Sequence, residues 1–180
     1  EDTEESFEYK VVNELRNYQK PFMFKDCTSL TEYTFLEKCT VEKGMFEGCT
    51  GLTEINLMPS YLHEGAFKGC TGVRNAYLYP YVEGSAFSRI YANAFDGWTA
   101  EQNIYIMTMT RDEFIAMLAK NTASTKATID EVFAGCNAKV YFKDDILKMS
   151  TINVGTLNSM FADALFATTT ADQTINITGL

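Results

Sequence analysis

Apolar and polar positions recur along this chain with a fixed spacing. A five-residue phrase, aromatic, any residue, Gly or Asp, Cys, Thr, reads Phe24-Lys25-Asp26-Cys27-Thr28, then Phe46-Glu47-Gly48-Cys49-Thr50, then Phe67-Lys68-Gly69-Cys70-Thr71. Looser copies stand at Phe95-Asp96-Gly97-Trp98-Thr99 and Phe133-Ala134-Gly135-Cys136-Asn137. The first three Phe are 22 and 21 residues apart. Each phrase opens an apolar frame: Leu30, Tyr33 and Phe35; Leu52, Ile55 and Leu57; Val73, Ala76 and Leu78. The fourth copy keeps Ile104 and Ile106 with Glu101 in the first slot, and the fifth keeps Val140 and Phe142. Every frame ends in a period of two, which predicts a short half-buried strand. A period of 20–29 residues predicts a solenoid: one repeat cannot bury its own apolar face, but stacked repeats meet in ladders.

Three segments interrupt the period and are predicted helical. Residues 3–18 carry Phe7, Val11, Leu15 and Tyr18 on one stripe, with Thr3 as cap. This helix is placed to cover the first exposed cross-section of the stack. Residues 111–120 follow a capping box of Thr110 and Glu113, and Phe114, Ile115, Met117 and Leu118 give the apolar face. Residues 156–166 place Leu157, Met160, Phe161, Ala164 and Leu165 at helical spacing. All three are expected to pack on their own solenoid rather than on a partner helix.

The frame L-x-x-I-x-L is the core pattern of leucine-rich repeats. With its lead-in, as in Gly65-Ala66-Phe67-Lys68-Gly69-Cys70-Thr71-Gly72-Val73 and Ile90-Tyr91-Ala92-Asn93-Ala94-Phe95, the chain resembles the BspA-type leucine-rich repeat of bacterial surface proteins. The resemblance covers about Pro21 to Met107, with a weaker copy from Thr128 to Phe142 and a degenerate one from Phe166 to Ile177. It implies an α/β repeat solenoid, a leucine-rich-repeat right-handed superhelix with a short-stranded parallel sheet, an N-terminal capping helix and inserted helices. The expected single domain divides into the cap (1–20), the main repeats (21–107), an inserted helix and loop (108–127), and degenerate repeats with a C-terminal cap (128–180). The resemblance also implies export by a bacterium and a place outside the cell or on its surface, lipid anchoring included. Two departures stand out. Repeats two and three lack most of the family's second short strand, V-T-x-I-G, and Lys38, Ser60 and Tyr81 stand where other leucine-rich repeats have Asn.

Composition narrows the function by exclusion. The net charge of −9 argues against nucleic acid and anionic membrane surfaces as partners. No run of 18 apolar residues is present to span a bilayer. The opening Glu1-Asp2-Thr3-Glu4-Glu5, without Met, reads as a mature or trimmed chain. Cys27, Cys49, Cys70 and Cys136 share one repeat slot that Trp98 fills once, so the slot is read as packing, with buried free thiols rather than disulfides or zinc ligands. Cys39 is expected to pack in a return strand. The single histidine, His63, lies in a turn beside Glu64 without a nucleophile elbow. Asp144-Asp145 reads as a helix start or solvated turn, and Asn176-Ile177-Thr178 fits a glycosylation sequon. Neither metal nor cofactor is expected.

What remains is a surface. Strand alternation turns the residues between the apolar ones outward. The central column is Thr34, Asn56, Tyr77, Tyr105, Tyr141 and Asn176, beside Glu32, Glu54, Asn75, Asn103 and Lys139, with Met58, Tyr79 and Met107 just past the strands. Tyr and Met favour interfaces, though tyrosine also suits strands without any ligand. The candidate partner-binding residues are therefore Asn56, Tyr77, Tyr79, Asn103, Tyr105, Met107 and Tyr141. The expected function is a non-catalytic binding or adhesion module for a protein or glycan. The alternatives are an enzyme or regulatory domain built on the inserted helix and the Cys39–His63 region, or a purely structural spacer.

Overall fold

The computed structural model describes residues 19–122 and 126–148. The expected helices over 3–18 and 156–166, the degenerate copy from Phe166 to Ile177, and Asn176 lie outside them.

The frames deliver the main sheet. β2 (Glu54–Leu57), β4 (Asn75–Leu78), β8 (Asn103–Ile106) and β9 (Lys139–Phe142) form a parallel sheet in that order, one strand from each of four successive repeats. The register is unbroken: Ile55, Ala76, Ile104 and Val140 align, as do Leu57, Leu78, Ile106 and Phe142. These two columns face the core, where Ile55, Ala76 and Ile104 are fully buried. The first frame is the exception. Residues 30–36 form no strand, and the first repeat meets the second there through Thr53, whose backbone N–H donates to Thr31 O.

A second parallel sheet corrects the expectation from the missing V-T-x-I-G. β1 (Cys39–Val41), β3 (Pro59–Leu62) and β7 (Arg89–Ile90) pair in that order. Strand pairing is a backbone property, and buried Val41, Leu62 and Ile90 are enough to anchor it. Between β4 and β7 the chain inserts an antiparallel hairpin, β5 (Val82–Glu83) and β6 (Ala86–Phe87).

The turns joining the two sheets explain the recurrent phrase. Asp26, Gly48, Gly69, Gly97 and Gly135 all adopt positive φ, between 58° and 81°. This is the left-handed region that Gly enters freely and Asp tolerates, hence Gly or Asp in the phrase. Backbone N–H groups on either side donate to the next repeat: Phe46 to Ala66 O at 2.9 Å and Gly48 to Lys68 O at 2.8 Å, then Phe67 to Ala94 O and Gly69 to Asp96 O. The Phe rings stack in the same direction, Phe24 on Phe46 and Phe46 on Phe67 with centroids 5.3 Å apart, then Phe67 on Phe95 and Phe95 on Phe133.

The inserted helix matches the sequence. α1 (Arg111–Ala119) begins at a complete Thr110–Glu113 capping box and buries Phe114, Met117 and Leu118 in the common core. Ile115, assigned to the same apolar face, is exposed, because it points away from the side that Phe114 and Leu118 bury. α2 (Ile129–Val132) starts at a second capping box, Thr128 with Glu131. α3 (Lys143–Lys148) carries Asp144 and Asp145 in its first turn, and Asp145 Oδ2 accepts from the Phe142 backbone N–H at 3.1 Å. Asp144-Asp145 is thus a helix start.

Candidate functional site

Pleating and register together decide what the main sheet offers outward. Asn56, Tyr77, Tyr105 and Tyr141 occupy one aligned column. The three rings stack along it with centroids 5.2 Å apart, at interplanar angles of 15° and 17°. All three are half-buried. Partial burial raises the pKa of Tyr77 and Tyr105, and Glu54 and the adjoining phenol push Tyr77 up further. The neighbouring column runs Glu54, Asn75, Asn103 and Lys139. Asn103 Nδ2 donates to Asn75 Oδ1 at 3.1 Å, so the two carboxamides bridge β4 and β8.

Two of the expected surface residues are placed elsewhere. Tyr79 and Met107 are each 2% exposed and pack with buried Ile146 of α3, so they cannot touch a partner. Past its strand the chain turns from pleated alternation into the next segment, and α3 closes over both side chains. Burial pushes the Tyr79 phenol up to about 12. Tyr77, Tyr105 and Tyr141 pack against this small cluster on one side, which supports the outward stack. Thr34 belongs to no strand. It lines a cleft of about 280 Å³ with Tyr33, Phe35, Leu36, Glu37, Asn56 and Met58, which extends the column past Asn56.

The repeat slot has a chemistry beyond packing. Cys49 Sγ donates to Phe24 O at 3.0 Å and Cys70 Sγ to Phe46 O at 2.9 Å. Trp98, in the same slot, donates through Nε1 to Phe67 O at 2.8 Å. The slot therefore selects a buried donor for a carbonyl of the preceding repeat, which is why Trp can replace Cys. Desolvation drives the Cys70 thiol to about 12 and raises Cys49. The expectation of buried ladder thiols holds for these two. Cys27 is exposed and Cys136 half-buried, because each lies in an outer repeat of the described stack. Cys39 is buried at the start of β1.

Glu101 does not fill the first slot of its frame; it is exposed and pairs with Arg74 at 3.1 Å. Gln102 turns inward instead. Its Nε2 donates to Cys70 O and Val73 O at 3.0 and 2.8 Å, and its Oε1 accepts from the Thr99 N–H. A buried polar group is tolerated there because its bonds are made.

Cys39 and His63 are not brought together. Cys39 aligns with Pro59 and Val41 with Leu62, so the thiol and the imidazole lie at opposite ends of the β1–β3 pair, about 13 Å apart along the strand. The His63 ring stacks on Tyr91 at 4.6 Å and on Tyr61 at 5.8 Å. Arg89 joins this group, its Nη1 donating to Tyr61 OH at 2.8 Å. This second aromatic cluster was not anticipated. Its signal was the recurrence of an aromatic or His side of β3 and β7, visible only once those strands are paired. Among the described residues no group of three or more His, Cys, Asp or Glu could hold a metal ion, and no helix is long and apolar enough to cross a membrane.

The family model for the BspA type leucine rich repeat region (6 copies) matches residues 8–74, so the chain carries this repeat over that stretch. The copies at Phe95 and Phe133 lie beyond the match, yet they make the same left-handed turn and enter the same sheet register. No curated protein and no solved structure matches the chain. Such a repeat supplies a non-catalytic surface.

Proposed function

We propose that this chain is a binding or adhesion module whose repeats wind as a right-handed leucine-rich-repeat solenoid, displayed outside a bacterial cell, with the outward column of its main sheet meeting a protein or glycan. One observation carries the reading. Tyr77, Tyr105 and Tyr141 stack in register on the open face while the inward Ala76, Leu78, Ile104, Ile106 and Phe142 beside them are buried in the core. Tyrosine offers contact area at low entropic cost. Asn56 and Asn103 complete the surface; Tyr79 and Met107 support it from beneath. The repeat slots themselves are occupied by core contacts and say nothing of the partner.

The test compares Tyr77→Ser, Tyr105→Ser and Tyr141→Ser for affinity and melting temperature, using partners recovered from extracellular proteins and glycans around the producing organism. Each change is expected to weaken binding by about 30-fold or more, as hot-spot truncations do, with a small loss of stability. Large stability losses with unchanged affinity would make the tyrosines sheet residues and the chain a spacer on this face.

A further inference from the structure

The stack geometry restricts what can lie along the column. Three phenol rings face one another, so the faces between them are used internally and the stack meets a ligand chiefly by its edges. Among the described residues no hydrogen bond engages the hydroxyls of Tyr77, Tyr105 or Tyr141. The column and its neighbour offer Asn56, Asn75 and Asn103 besides, with Glu54 and Lys139 only at the two ends. In a chain of net charge −9 the middle of this strip, Asn75, Tyr77, Asn103 and Tyr105, carries no charge. An uncharged strip of donors and acceptors complements an uncharged, hydroxyl-rich ligand.

Spacing selects among such ligands. The rings repeat every 5.2 Å along the sheet. An extended peptide presents same-face groups about every 6.6–6.8 Å and slips out of step within two repeats. An α-helix has a pitch of about 5.4 Å, but it docks through an apolar stripe, which this face does not offer. In an extended β-1,4-linked glycan each pyranose advances the chain by close to one strand spacing. Successive sugars would then meet successive repeats.

We infer that the column Asn56–Tyr77–Tyr105–Tyr141 binds a neutral, extended β-1,4-linked glycan lying across the strands, one sugar per repeat, through the phenol hydroxyls and carboxamides. The inference rests on the surface reading above and names the partner class for it.

The experiment titrates the intact chain calorimetrically with β-1,4-linked glucose and N-acetylglucosamine oligomers of two to six sugars, with α-1,4-linked glucose oligomers alongside. Binding of one β-linked series is expected. Affinity should rise from two to four sugars and level off once the ligand spans the four positions. Tyr105→Phe removes only a hydroxyl and keeps the stack, so its melting temperature should be unchanged while affinity drops about two- to tenfold, the worth of one neutral hydrogen bond. Absence of binding to both β-linked series, equal binding of α- and β-linked chains, or an unaffected Tyr105→Phe would overturn the inference. If the glycans do not bind but Tyr105→Ser abolishes binding of a protein partner, the glycan is refuted and the surface reading survives. If neither ligand responds to the tyrosines, both fall.

Discussion

Single residues in this protein are chosen by the backbone groups they meet. The Gly or Asp of the recurrent phrase answers a left-handed turn, and the following Cys or Trp answers a carbonyl of the preceding repeat. Trp98→Phe removes one of the two donors to Phe67 O and leaves the Cys70 N–H in place, so it should cost about 0.5–1.5 kcal/mol in denaturant unfolding. Thiol reactivity should divide by position. Thiolate is the reacting species, so Cys27 should label at once in the native protein, while Cys70, at about 12, and Cys49 should label only on unfolding. Rapid native labelling of Cys49 or Cys70, read by mass spectrometry, would contradict their placement. Alkali gives a second readout. The folded state holds Cys70 protonated to about 12 against 9.0 for a free thiol. Its stability contribution is complete below pH 9 and declines as pH climbs from 9 toward 12, because only the unfolded chain releases the proton there. The slope should reach up to about 1.4 kcal/mol per pH unit for this group, and Cys70→Ala should flatten it. Tyr79 adds the same sign of dependence from pH 10 upward.

At the scale of elements, local signals and paired ones behave differently. α1 was legible because its cap and its apolar spacing both lie within ten residues of chain. Thr110→Ala breaks the capping box and should lower stability by about 1 kcal/mol, measurable as a shift in the urea midpoint. The Thr128–Glu131 box is as complete, yet it opens a helix of one turn, too short for periodicity to register. The β5–β6 hairpin had a signal, Gly84-Ser85 between two short segments, with Gly84 at φ 59°. The repeat frame leaves that signal unused. β3 and β7 had almost none, since strands of two to four residues are stabilised by the neighbours they pair with rather than by their own composition.

At the scale of the whole molecule, stability passes from repeat to repeat. Cross-repeat ion pairs such as Lys43–Glu64 and Lys68–Asp96 decorate the outside, but exposed pairs contribute little. The cohesion lies in the inner ladders. Ile55→Ala opens a cavity between two neighbours and should cost about 2–5 kcal/mol, whereas Tyr105→Ser on the outer column should cost about 1 kcal/mol from lost cross-strand contacts. Hydrogen exchange should follow the same order. The amides of β4 and β8, with a paired strand on each side, should be the slowest, and those of residues 30–36 the fastest of the frame positions. Equal protection across all repeats would show that the stack opens only as a unit.

The sequence alone determined the repeat, the inward ladder of Ile55, Ala76 and Ile104, the outward column of Tyr77, Tyr105 and Tyr141, and the capped helix. Each of these follows from spacing within one or two repeats, and a fixed period carries the same environment to each copy. Tertiary structure decided the rest. Whether Tyr79 and Met107 face solvent depends on α3, which arrives from another part of the chain. Whether Gln102 or Glu101 enters the core depends on the carbonyls of Cys70 and Val73. Whether Cys39 meets His63 depends on the register of two strands that composition does not reveal. Burial and hydrogen-bond partnership belong to pairs of segments, so a pattern read along one segment cannot contain them.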